Sequence, residues 1–90
     1  MGGYNLGRKE KLIEKLKLMP RDFTFEECAT LLGYLGYDSV NKGKTSGSRV
    51  AFVNNSTHSK LIMHKPHPRK ELLAYQVKQL KEQLEEEGLI

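Results

Sequence analysis

Arg49-Val50-Ala51-Phe52-Val53 and Lys60-Leu61-Ile62-Met63-His64 are two five-residue runs, separated by six polar residues. Their β-branched and aromatic side chains suit a pleated surface, and Asn54-Asn55-Ser56-Thr57 has the chemistry of a turn. The pattern predicts an antiparallel hairpin. A preceding strand over 37–42 would make a three-stranded sheet. A lone hairpin is marginal in water and needs a third strand or a helix to cover its apolar face. Strand alternation puts Val50 and Phe52 on one face and Arg49, Ala51 and Val53 on the other. The bulkier pair belongs against helices, which leaves Arg49 on the open face.

The flanking segments supply those helices. Leu12, Ile13, Leu16 and Met19 recur at helical spacing over residues 8–19. Pro20 ends that helix, because the residue before a proline is pushed out of the α region. Thr24 and Glu27 have the spacing of a capping box. The helix they open places Phe25, Cys28, Leu32 and Leu35 on one stripe and ends at Gly36. Cys28 therefore reads as a small core residue, and no basic neighbour in sequence would activate its thiol. After His67, Pro68 suits the first turn of a helix over 69–87, with Leu73, Val77, Leu80 and Leu84 facing the core. Gly88 stops it, and Leu89 and Ile90 fold back on its last turn. The predicted order is α-α-β-β-β-α, an α+β two-layer fold with one face of its antiparallel sheet open. Ninety residues leave no room for two independent cores, so residues 1–90 form a single domain.

Charge is unevenly placed. The chain carries a net charge of +4, yet Val40 to Lys70 contains no Asp or Glu. That window holds Lys42, Lys44, Arg49, Lys60, Lys65, Arg69 and Lys70, together with His58, His64 and His67. A field of one sign over a continuous segment is the footprint of an anionic partner, whether RNA, DNA or an acidic protein; a solvated basic loop would look the same. One cysteine excludes an internal disulfide framework and a multi-cysteine zinc site. No apolar stretch approaches the ~20 residues of a membrane span. No apolar leader is present at the N-terminus, and Leu6 stands where a myristoylation motif wants Ser or Thr. The expectation is a cytoplasmic protein with no membrane contact.

Little in the chain can do acid–base chemistry. Gly43-Lys44-Thr45 has the ending of a phosphate-binding loop, but the upstream glycine is missing. The serines sit in no nucleophile elbow. Histidine titrates near neutrality and can act as acid or base. His64, at the end of the second run, serves as readily in catalysis as in structure. His67, between two prolines and before a helix, is better suited to bonding the free N–H groups of that helix start. His58 lies in a polar turn and should be exposed. No nearby carboxylate completes a metal site with His64 and His67, so no metal or other cofactor is expected.

Gly43-Lys44-Thr45-Ser46-Gly47-Ser48-Arg49-Val50-Ala51-Phe52 resembles the glycine-serine stretch that opens the second strand of HicA-type toxins. The run His64-Lys65-Pro66-His67-Pro68-Arg69-Lys70-Glu71-Leu72 and the ending from Tyr75 to Ile90 continue the likeness. It covers residues 23–90 and leaves the first helix, 8–19, as an addition. The resemblance implies a double-stranded-RNA-binding-domain-like fold and a metal-independent mRNA interferase, neutralised by a HicB-like antitoxin. It implies a catalytic histidine directly after the Gly-Ser pair, and there this chain has Arg49. Arginine stays protonated and cannot be a general base, although it can hold phosphate or stabilise developing negative charge. On this reading His64 is the candidate base and His67 a secondary one. Lys42, Lys44, Ser48, Arg49, Lys60, Lys65, Arg69 and Lys70 would bind RNA. The alternative is a module that binds RNA or an antitoxin without cutting.

Overall fold

The computed structural model describes residues 7–40 and 49–90. Three helices and three strands follow one another as α1 (Arg8–Lys17), α2 (Phe25–Tyr34), β1 (Tyr37–Val40), β2 (Arg49–Asn54), β3 (Lys60–His64) and α3 (Ala74–Glu86). The strands form one antiparallel sheet in the order β1-β2-β3. The result is the expected α+β fold with the expected element order. Of the predicted first strand, Tyr37 to Val40 is observed, and positions 41 and 42 lie outside the described residues.

The hydrophobic core lies between the helices and one face of the sheet. Phe52 of β2 and Leu61 and Met63 of β3 are buried together with Leu31 and Leu32 of α2 and Val77, Leu80 and Leu84 of α3. Val50 packs at the margin of this cluster, on the face sequence alternation assigns to it. Helix α1 packs against α2 and α3, and its Leu12 and Leu16 are buried in the same core. Full burial of such a leucine contributes about 1.5–3 kcal/mol. Residues 8–17 are thus part of the packed core, not an appendage to it.

Local chemistry explains the element ends. Thr24 Oγ1 accepts from Glu27 N (3.0 Å), and the Glu27 carboxylate accepts from Thr24 N (2.9 Å), which is the predicted capping box. Lys15 Nζ reaches the same carboxylate at 2.9 and 3.0 Å and ties α1 to α2. Burial pushes the Glu27 carboxyl up, but the bonds from Thr24 and Lys15 outweigh it and hold the group below its ordinary value. Gly36, at φ +97°, closes α2, and Gly88, at φ +73°, closes α3. Beyond Gly88, Leu89 N donates to Leu84 O (2.9 Å), the back-folded end expected from sequence. At the end of α1 it is Met19 that takes the left-handed conformation, at φ +53°, just before Pro20. The helix therefore stops at Lys17, and Met19 is exposed instead of lying on the core stripe.

The predicted helix over 69–87 needs correction. Pro68 lies in no helix, and α3 begins at Ala74. Between them the chain runs extended beside the entry to α2. Phe25 N donates to Lys70 O (3.0 Å), Leu72 N donates to Phe23 O (2.8 Å), and Thr24 and Glu71 form a bridge. These bonds use backbone groups that a helix would have used within itself. The shift also exchanges two neighbours: Leu72 is buried at 1% exposure, while Leu73, expected in the core, is 38% exposed.

The hairpin turn is joined to the α2–β1 junction. Asn54 is 1% exposed, and its Oδ1 accepts from Ser56 N (2.8 Å) and Thr57 N (3.0 Å). Its Nδ2 donates to Leu35 O (3.2 Å). Cys28 is fully buried, and that burial pushes its thiol up to about 12, which leaves it protonated and unreactive as expected. Tyr37 Oη donates to Glu87 (2.5 Å), linking the start of β1 to the end of α3.

Candidate functional site

The strand register decides what shares a surface. On β2 and β3, Arg49 pairs with His64, Ala51 with Ile62 and Val53 with Lys60. Directly paired residues point to the same side of a sheet. Phe52 and Leu61, one step away, are buried beneath the helices, so Arg49 and His64 stand together on the opposite, open face. Both are exposed. Cα atoms in such a pair are about 4.5–5.5 Å apart, close enough for both side chains to meet one phosphodiester.

His64 is held from behind. Gln76 is 2% exposed, and its Nε2 donates to His64 O (2.8 Å) while its Oε1 accepts from Leu73 N (2.8 Å). One amide thereby caps the start of α3 and fixes the end of β3. Sequence reading missed this residue. Its signal was the placement of a Gln three residues after Leu73, the back-reaching half of a capping box, masked because a leucine occupies the cap position.

The other candidates divide. Lys60 shares the open face but lies at the opposite end of β3, about 13 Å along the strand at the usual rise per residue. Lys65, His67, Arg69 and Lys70 gather elsewhere, around a cleft of about 210 Å³ beside the start of α2. His67 is exposed in that cleft. It does not cap the following helix as expected, because α3 starts seven residues later and Gln76 does the capping. Lys42, Lys44 and Ser48 lie outside the described residues. His58 is exposed in the hairpin turn, as expected.

An open three-stranded antiparallel sheet, backed by helices on one face, is the architecture that the glycine-serine resemblance implies. A family model described as HicA toxin of bacterial toxin-antitoxin matches residues 25–85, more than half of the chain. The chain belongs to the HicA toxin family. The match runs from the first residue of α2 into the last turn of α3, so α1 lies outside it. No curated protein and no solved structure matches the chain. Among the described residues, no helix of this HicA-family protein is long and apolar enough to cross a membrane.

Proposed function

We propose that this HicA-family toxin binds mRNA across the open face of its sheet and cleaves it with His64 as general base. The observation that carries the reading is the register pair of Arg49 and His64. A neutral imidazole at His64 takes the proton of a ribose 2′-hydroxyl, and the 2′-oxygen attacks the adjacent phosphorus. The bond from phosphorus to the 5′-oxygen breaks, and the leaving oxygen takes a proton from water. Arg49 stabilises the negative charge that builds on the phosphoryl oxygens, the task a permanently charged fork suits. In this proposal the single domain spans residues 1–90, works in the cytoplasm, and is neutralised by a HicB-like antitoxin that covers the same basic face.

The test is incubation of a long, mostly single-stranded mRNA with the purified chain in EDTA. Cleavage that His64→Ala abolishes supports the assignment. Arg49, standing where the family's catalytic histidine is expected, favours a second reading: a domain that holds RNA or an antitoxin without cutting. Intact RNA, with binding that weakens steeply as salt rises, would select that reading.

A further inference from the structure

The cleft beside the start of α2 is built differently from the open face. Its apolar lining is the ring of Phe25 with Pro66 and Pro68, set among polar and charged residues that include Thr24, His67 and Arg69. Lys65 and Lys70 stand at its rim, and so does one carboxylate, that of Glu26. The Phe25 ring has two distinct sides. Phe52 packs against it from the core, with centroids 6.3 Å apart and planes tilted by 46°. Lys65 Nζ lies over it at 5.9 Å from the centroid. A volume of about 210 Å³ is below the ~300–1,000 Å³ of a typical small-molecule site, and suits one planar ring system.

The cleft adjoins the proposed cutting site along the chain, through Lys65 of its lining. Lys65 directly follows His64, and their Cα atoms are one peptide, 3.8 Å, apart. His64, the last residue of β3, looks to the open face, while Lys65, just past the strand, turns toward Phe25 of α2. β3 is an edge strand, so no neighbouring strand bars a polynucleotide from passing over its end.

Resting on the RNA reading above, we infer that this cleft receives one unstacked base of a single-stranded RNA held on the Arg49–His64 face. The base takes the place of Lys65 Nζ over the Phe25 ring, and Lys65, swung aside, takes the adjoining phosphates with Lys70. Aromatic stacking is tolerant of base identity, whereas Glu26 is not. Its carboxylate accepts hydrogen bonds and donates none, so it favours cytosine, with its exocyclic amine, over uracil, whose one N–H donor is flanked by two carbonyl oxygens that repel a carboxylate. Glu26 is exposed, and no described residue pairs with it.

The experiment measures binding of three 2′-O-methyl octanucleotides, which cannot be cut through their 2′-oxygens. One is all uridine, one carries a single central cytidine, and one has the same backbone without bases. The full chain should bind the all-uridine octamer roughly fivefold or more tighter than the baseless one, the scale of stacking one base on an aromatic ring. It should prefer the cytidine-containing octamer further. Phe25→Leu should erase the first difference. Glu26→Ala should erase the second, even though losing a negative charge strengthens binding to all three. Glu26 is solvent-exposed, so this variant keeps the test valid should Phe25→Leu disturb folding. Equal binding of all three octamers, weakened alike by Arg49→Ala, would overturn the base cleft and leave the RNA-binding face standing. Failure of every octamer to bind would overturn both.

Discussion

His64 and His67 are three residues apart and belong to different surfaces. His64 closes a regular strand. Its direction is set by the register with Arg49, and its carbonyl is fixed by Gln76. His67 follows in a proline-bracketed stretch that pairs with nothing in the sheet and stands in the cleft by α2. The first belongs to a face shaped by period-2 geometry, where charge can be aimed at a phosphate. The second belongs to a concave cleft where Phe25 and two prolines stand among charged side chains. One basic segment thus faces two surfaces of unlike composition, and proximity in sequence says little about shared surface.

The largest effect should separate the two histidines. His64→Ala is expected to lower the single-turnover rate of mRNA cleavage by about 10²–10⁴-fold, the usual contribution of a general base. His67→Ala should cost less than about tenfold, because the residue lines the cleft by α2 and not the open face that holds Arg49 and His64. Equal losses from both, measured side by side, would end the division into two sites.

Gln76→Ala probes the support beneath His64. It leaves the Leu73 N–H and the His64 carbonyl without their partner, which costs about 1–3 kcal/mol in urea unfolding. Gln76→Glu keeps an acceptor for Leu73 N but loses the donor to His64 O. If positioning of His64 matters, that variant should lose cleavage rate while binding RNA nearly as well as the parent chain.

Acid should loosen the fold. The Glu27 carboxyl is held below its ordinary value of 4.5 in the folded chain. The unfolded chain therefore takes up protons first as pH falls, and the stabilisation is complete above about pH 4.5 and lost below it. Glu87 is also held low, because the hydrogen bonds it accepts from Tyr37 and Gln83, with the nearby Ser59 hydroxyl, outweigh the upward push of burial. Urea midpoints from pH 7 to 3 should fall for the parent chain and fall less steeply for Glu27→Gln.

The smallest effect lies at the end of α1. Met19→Gly removes the left-handed strain of a side chain at φ +53° and should raise stability by about 1 kcal/mol without changing cleavage. A change in rate would show that the end of α1 communicates with the sheet.

Much of this arrangement was legible in the residues. The alternation of Val50 and Phe52 against Arg49 set the two faces of the sheet, and Thr24 with Glu27 marked the start of α2. Gly36 and Gly88 marked two helix ends. The last helix was misread because Pro68 is as good a start signal as any, and only tertiary pairing of residues 70–72 with 23–25 draws the chain straight past it. The register that brings Arg49 opposite His64 follows from the length of the turn, which Asn54 organises through bonds invisible in a pattern of polarity. Glu26 and Phe25 were hidden as site residues for the same reason: they lie some forty positions before Lys65 and meet it only in the folded chain.

The central claim is that a ribose hydroxyl, activated at His64, cuts the chain beside Arg49. The most direct measurement is the chemistry of the ends left on a defined RNA after incubation with the purified protein in EDTA. A 2′,3′-cyclic phosphate and a 5′-hydroxyl, with no cutting where the single cleaved ribose is replaced by 2′-deoxyribose, are the predicted result. Ends bearing a 3′-hydroxyl and a 5′-phosphate, or RNA that stays intact, would contradict it.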